Sequence, residues 1–276
     1  MNLHFVKMHG LGNDFAVFDC RDGAPTPDRA LLHRLANRRR GIGFDQALLL
    51  AAPNDPASIA SYRIVNADGS EVQQCGNGVR CIALLLALRD RSIPTELRLD
   101  SPAGAVRARV ESPHIVAVDM GEPDFRPASL PFRNDSELPH YTLDIGGRSV
   151  TFQVVSIGNP HAVLWVDDVD AADVGGLGPA LGNHPAFPER CNVGFAERVS
   201  AERIRLRVFE RGVGETPACG TGACAAVAVG RRADRLGPEV DVRLPGGELH
   251  VSWPGPGQPL WMSGEAAIAF EGKLTL

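Results

Sequence analysis

Cys75-Gly76-Asn77-Gly78-Val79-Arg80-Cys81-Ile82-Ala83-Leu84-Leu85-Leu86 and Cys219-Gly220-Thr221-Gly222-Ala223-Cys224-Ala225-Ala226-Val227-Ala228-Val229 are two versions of one segment. Each sets a cysteine just before a glycine-rich turn, and each turn opens a run that is apolar nearly all round. Such a run forms a buried helix rather than a surface one. A thiol at a helix mouth feels the positive end of the helix dipole, which is expected to lower its pKa. The free backbone N–H groups of the same turn can hold a carboxylate. One copy would indicate a reactive cysteine. Two copies suggest a thiol on each side of one substrate, the arrangement needed to invert a carbon centre.

The duplication extends outwards from the cysteines. Gly12-Asn13-Asp14-Phe15-Ala16-Val17 matches Gly158-Asn159-Pro160-His161-Ala162-Val163, each a Gly-Asn turn entering an apolar strand. The asparagines lie 146 positions apart and the cysteines 144 apart, while Gly121-Glu122 and Gly264-Glu265 close the halves 143 apart. Nine residues before each cysteine a strand ends on a polar side chain, Asn66 in one half and Glu210 in the other.

Short stretches such as Val106-Arg107-Ala108-Arg109-Val110 and Ile204-Arg205-Leu206-Arg207-Val208 alternate apolar and charged residues, the period-two pattern of half-buried strands. Strands wrapped around one buried helix, made twice, predict an α+β protein of two pseudo-symmetric domains. The expected halves are residues 1–120, joined by a C-terminal strand at 265–276, and residues 121–264. The active site is expected in the cleft between them. Pro123 to Pro139, rich in proline, reads as linker and outer loop. Arg38-Arg39-Arg40 reads as the basic end of a helix that starts near Asp28.

The 276 residues carry 44% hydrophobic and 22% charged side chains with a net charge of −5, an ordinary soluble balance that offers nothing to nucleic acid or an anionic membrane. No apolar stretch resembles a signal sequence or a membrane span, so the expected location is the cytoplasm. Six cysteines are too sparse for a secreted disulfide scaffold, and no C-x₂-C pair fits a zinc site. The two lysines, Lys7 and Lys273, lie near the ends outside any glycine-rich or polar motif, which argues against pyridoxal phosphate. No metal is expected either. Cys81 and Cys224 fall inside the buried helices and read as packing residues.

Several motifs resemble diaminopimelate epimerase. They are Met8-His9-Gly10-Leu11-Gly12-Asn13-Asp14-Phe15, Arg40-Gly41-Ile42-Gly43-Phe44-Asp45-Gln46, Asn66-Ala67-Asp68-Gly69-Ser70, Gln74-Cys75-Gly76-Asn77-Gly78, Gly158-Asn159-Pro160-His161 and Phe209-Glu210-Arg211-Gly212 through Cys219. The resemblance implies a cofactor-independent isomerase that interconverts L,L- and meso-2,6-diaminopimelate in lysine and peptidoglycan precursor synthesis. It implies Cys75 as proton donor and Cys219 as proton acceptor, roles that exchange with direction. His161 matches a family histidine that affects activity. Asn13, Gln46, Asn66, Asn159 and Asn192 are implied substrate ligands; a ring of amides can read an ammonium and a carboxylate together. The N–H groups of Gly76, Asn77, Gly220 and Thr221 are suited to the α-carboxylate, Glu210 to the ammonium, and Arg211 to a carboxylate. The resemblance also implies a homodimer, with Phe270 in the region of a family aromatic at the dimer contact.

Two other readings compete. A proline or hydroxyproline racemase would share the paired cysteines but should lack the Met8–Phe15 motif and the asparagine ring. A catalytically silent amino-acid-binding protein would bind without exchanging the α-proton. Two thiols close enough to share one carbon should also form a disulfide on oxidation, with loss of activity.

Overall fold

A computed structural model describes residues 2–72 and 75–275. Met1, Gln74 of the cysteine motif and Leu276 lie outside the described residues. The chain divides into two compact units, Met1–Asp119 with Ser263–Leu276, and Met120–Met262.

In the first unit the strand Asn2–Gly10 pairs antiparallel with Asn13–Asp19 and, on its other edge, with the C-terminal strand Ala267–Thr275. Leu11 and Gly12 make the tight turn with φ of 53° and 84°, a left-handed pair that bends a hairpin in the sense of its twist. Asn13–Asp19 then runs parallel to Gln46–Ala51, which pairs antiparallel with Ala60–Asn66. The short strand Glu71–Val72 leads toward a long helix, and the hairpin Glu96–Ser101 with Gly104–Val110 follows it.

The second unit repeats the plan. Arg148–Ser156 pairs antiparallel with Pro160–Val166, which runs parallel to Asn192–Arg198, itself antiparallel to Arg203–Glu210. Gly214–Thr216 precedes the helix, and the hairpin Glu239–Leu244 with Gly247–Ser252 follows. Even the parallel contact from hairpin to sheet recurs, Ala60 opposite Leu99 and Arg203 opposite Asp241. The structure is thus a strand-rich α+β fold with few helices, built from one plan used twice.

Among the described residues four α-helices complete it: α1 (Arg29–Ala36), α2 (Gly76–Arg89), α3 (Val174–Gly182) and α4 (Gly220–Arg232). Among them α2 and α4 are the buried pair, with residues 76–86 and 222–230 buried. Cys81 and Cys224 pack inside them. Among the described residues no helix is long and apolar enough to cross a membrane.

Two sequence expectations need correction. Residues 123–139 are not a free linker: Asp124 bridges to Ser156, Pro127–Ser129 is a 3-10 turn, and Leu130 and Phe132 are buried against Tyr141, Phe152 and Phe187. The segment supplies apolar side chains that its prolines disguise. The arginine triplet does not cap α1, which ends at Ala36 with Asn37 as its cap. Arg38 instead donates to both Asp14 oxygens and to Asp45 at 2.7 Å each. The buried Lys7 Nζ donates to Asp14 at 2.5 Å and to the Gly43 carbonyl.

On the exposed sheet of the second unit, His250 meets Asp241 at 2.9 Å and Glu239 at 2.6 Å. Partial burial alone would lower its pKa, but the two carboxylates outweigh burial and raise it. A raised folded pKa stabilises the fold below the unfolded value near 6.5, and that stability is lost as pH rises through the folded value. His250→Asn is therefore expected to lower the melting temperature at pH 5.5 more than at pH 8.5. The difference should be small, within about 1 kcal/mol for so exposed a pair.

Candidate active site

Cys75 and Cys219 occupy equivalent positions. Each is the N-cap of its helix, with extended backbone at φ −146° and −118°, and neither thiol closes a side-chain cap. Their carbonyls accept the first helical bonds, from Val79 and Ala223, at 3.0 Å. The next three N–H groups of each helix, including those of Gly76 and Asn77 or Gly220 and Thr221, have no partner within the helix. The glycine-rich segment is therefore the first helical turn itself rather than a turn before it. Glycine at its third position is needed for room: a Cβ on Gly222 would lie 2.9 Å from Val208 and 3.2 Å from Cys219 Sγ.

Around Cys75 the first unit gathers amides. Asn13 Oδ1 accepts from Asn77 Nδ2 at 3.3 Å and lies 3.8 Å from the thiol. Asn13 Nδ2 donates to Asp45 at 3.0 Å. Asn77 Oδ1 accepts from Arg80 Nη2 at 2.8 Å. Arg80 is fully buried, and Gly10 leaves it space, since a Cβ there would meet Nη2 at 3.2 Å. Gln46 and Asn66 face each other across adjacent strands, with Gln46 Nε2 donating to Asn66 Oδ1 at 2.9 Å. That bond leaves Gln46 Oε1 a buried acceptor without a protein partner. Asn66 also donates to Ser70 at 2.9 Å.

Around Cys219 the second unit builds a connected network. Thr221 Oγ1 lies 3.7 Å from the thiol and accepts from Asn159 Nδ2 at 3.3 Å. Asn159 Oδ1 meets His161 Nε2 at 2.9 Å, and Asn192 Nδ2 lies 3.4 Å from the same ring atom. Asn192 in turn accepts from the Arg211 backbone N–H at 2.9 Å. The tautomer with the proton on Nε2 satisfies Asn159 Oδ1, and it leaves Nδ1 a buried acceptor without a hydrogen-bond partner. Burial, with the Arg211 guanidinium acting in the same direction, pulls the His161 pKa down to about 3, so the ring is neutral. The Arg211 side chain donates to the Glu189 carbonyl at 2.9 Å.

Glu210 faces Cys219 and accepts from the Thr216 hydroxyl. Here the structure overturns the expected low thiol pKa. Burial, then the facing Glu210 carboxylate, push Cys219 well above the usual range, and the Thr221 hydroxyl and Gly222 backbone oppose them weakly. Only 3% of Cys219 is exposed, so desolvation of a thiolate outweighs the helix dipole. These influences favour the thiol form of Cys219 over the thiolate.

Sequence reasoning passed over Thr216 and Arg80, although both stand within the quoted motifs. It also missed the cluster of Lys7, Asp14, Arg38 and Asp45 behind Asn13. Among the described residues no group of three or more His, Cys, Asp or Glu side chains is arranged to hold a metal ion. A cavity of about 520 Å³ bordered by Phe125, Glu137, Arg231, Arg232 and Trp253 in the second unit shares no residue with either cluster.

Solved structures share the fold. A hydroxyproline epimerase from Agrobacterium vitis, with trans-4-hydroxy-L-proline bound, is 17% identical with a TM-score of 0.67, the match covering 99% of this chain and 91% of the other. A protein from Pseudomonas aeruginosa described as a predicted epimerase is 18% identical with a TM-score of 0.69, covering 99% of each chain. A phenazine biosynthesis protein of the PhzF family from Bacillus anthracis is 15% identical with a TM-score of 0.65, covering 100% of each. A family profile described as diaminopimelate epimerase matches residues 5–126 and 153–269, one stretch around each cysteine helix. With most of its length matched, the chain belongs to the diaminopimelate epimerase family, whose members are isomerases.

Proposed function

We propose that this protein is a cofactor-independent two-thiol epimerase that interconverts L,L- and meso-2,6-diaminopimelate. The observation that carries this reading is the equivalence of Cys75 and Cys219 as N-caps of the two duplicated helices, each beside free N–H groups and amide side chains. An α-carbon next to an ammonium and a carboxylate yields its proton reluctantly, so one group must take the proton as another supplies the opposite face.

In one direction, Cys219 passes its proton to Glu210 and the resulting thiolate takes the α-proton. The electron pair of the broken C–H bond spreads into the substrate carboxylate, held by the N–H groups of Gly76, Asn77, Gly220 and Thr221. Cys75 gives its proton to the opposite face, forming the new C–H bond and leaving its own thiolate. The reverse reaction exchanges the roles from that state, and between turnovers solvent carries the Glu210 proton back to Cys75. His161, neutral and buried, holds Asn159 in place and carries no charge through the cycle. Asn66, Gln46, Asn159, Asn192 and Arg211 read the ammonium and carboxylate of the distal centre, for which Gln46 Oε1 offers an unused acceptor. The same reading takes the working form to be a homodimer that covers Phe270, which is 49% exposed in the single chain.

Incubating the reduced protein with L,L-diaminopimelate in D₂O and following the α-positions by NMR tests the reading. Conversion to the meso form with deuterium at the inverted centre is expected. Binding without exchange by a folded, reduced protein would refute it and favour a binding protein. Exchange confined to proline or hydroxyproline would move the substrate assignment.

A further inference from the structure

We propose that Asp45 and Arg80 are positioning residues that give the series Arg80, Asn77, Asn13, Asp45 a single donor sense, and so turn the Asn13 carbonyl oxygen toward the Cys75 thiol. The inference deepens the reading of Cys75 as an acid and rests on it for its meaning, though not for its test.

An amide side chain can present either end, and only its partners decide which. Arginine can only donate, so Asn77 must offer its oxygen to Arg80 and its NH₂ to Asn13. The Asp45 carboxylate, ion-paired with Arg38 at 2.7 Å, can only accept, so Asn13 must offer its NH₂ to Asp45. Both ends thus force one answer at Asn13, and the atom left toward Cys75, at 3.8 Å, is an acceptor. Asp45 is itself held, since it also accepts from the Asp14 backbone N–H at 3.2 Å and its own N–H donates to Asp14 Oδ1 at 2.9 Å. Asp14 is anchored by Arg38 and by the buried Lys7. An acceptor facing a thiol favours S–H over S⁻. Asp45 therefore helps to keep Cys75 protonated, the state that a proton donor needs. Among the described residues, Tyr62 from the neighbouring strand and Cys81 from the helix interact with Cys75, and burial favours the neutral form of both.

Iodoacetamide traps thiolates, so its rate at Cys75 against pH, read by mass spectrometry of the Cys75 peptide, reports the proton state without substrate. Read in an Asn77→Ala background, which releases the Arg80 end, Asp45→Asn puts a group that can donate where only an acceptor stood, and Asn13 can then turn its NH₂ to the sulfur. The alkylation midpoint is expected to fall by about one pH unit, with about a tenfold faster reaction at pH 7. Loss of negative charge alone would act in the same direction, and a cycle through Asn13→Ala separates the two effects. If Asp45 works through Asn13, Asp45→Asn shifts nothing once residue 13 is alanine; a plain charge effect persists. Asp45→Glu should restore the wild-type midpoint. Asp45→Ser, whose hydroxyl can also donate, replaces Asp45→Asn if melting curves show that variant unfolded. An unchanged midpoint in the folded variant, or an undiminished shift in the Asn13→Ala background, overturns the proposal. Failure to turn over diaminopimelate would leave all of these readings intact.

Discussion

Replacing Cys75 or Cys219 by alanine is expected to cut epimerisation by about 10³-fold or more, because each removal deletes the acid or base from one face of the reacting carbon. The two variants should differ in a telling way. Each keeps one thiol, and that thiol can still remove and return a proton on its own face. In D₂O one variant should therefore exchange the α-proton of one isomer without inverting it, and the other variant should do so with the other isomer. The double variant should do neither. Inversion at wild-type rate in either single variant would exclude the two-thiol mechanism, and so would exchange confined to the same isomer in both. Both variants are expected to keep the fold. Neither thiol caps its helix, so the first turns of α2 and α4 keep their backbone bonds when the sulfur goes. Melting curves measured alongside would show this directly.

The features visible in the sequence are those set by local pattern. The apolar run after each CGxG has no polar face to present to water, so burial of α2 and α4 follows from composition alone. The Arg-x-Arg alternation of residues 203–209 could only be a half-buried strand, and it is one. The equivalence of Asn66 and Glu210 was readable because both close strands at a fixed distance before a cysteine. What escaped depends on partners distant in the chain. The helix α3, Val174–Gly182, contains three glycines and a proline in the stretch Val174-Gly175-Gly176-Leu177-Gly178-Pro179, a poor helical composition. It forms because Asp173 caps it through Gly176 N–H at 2.9 Å and because a Cβ on Gly178 would lie 2.7 Å from Phe209. The glycine that lowers propensity is the one that lets the helix pack. The Cys219 pKa escaped for a related reason. A helix mouth is visible in a motif, whereas the depth of burial that reverses its effect is a property of the assembled unit. Arg38 likewise finds Asp14 only because two strands pair in parallel, with Phe15 opposite Gln46.

Phe152→Ala is expected to destabilise the second unit by about 3–5 kcal/mol. Phe152 is 1% exposed, and its ring lies 6.1 Å from Phe132, 6.2 Å from Tyr141 and 6.0 Å from Phe187. Removing it deletes apolar area and leaves a void bounded by three rigid rings, which cannot collapse as flexible aliphatic chains would. Those rings come from three separate stretches, the proline-rich segment, the strand Tyr141–Ile145 and the loop after α3. The void therefore loosens the attachment of the proline-rich segment as well as the sheet. Phe152→Leu keeps most of the volume and should cost less, about 1–2 kcal/mol. The measurement is favoured by where the tryptophans lie. Trp165, Trp253 and Trp261 all belong to the second unit, so their fluorescence in urea follows that unit, while circular dichroism follows both. A fluorescence midpoint that falls sharply in Phe152→Ala, and only modestly in Phe152→Leu, is the expected pattern. If Phe152→Ala lowers it no further than Phe152→Leu does, the aromatic cluster is not the rigid centre of the unit, and the proline-rich segment is held by its backbone bonds at Asp124 and Ser156 instead.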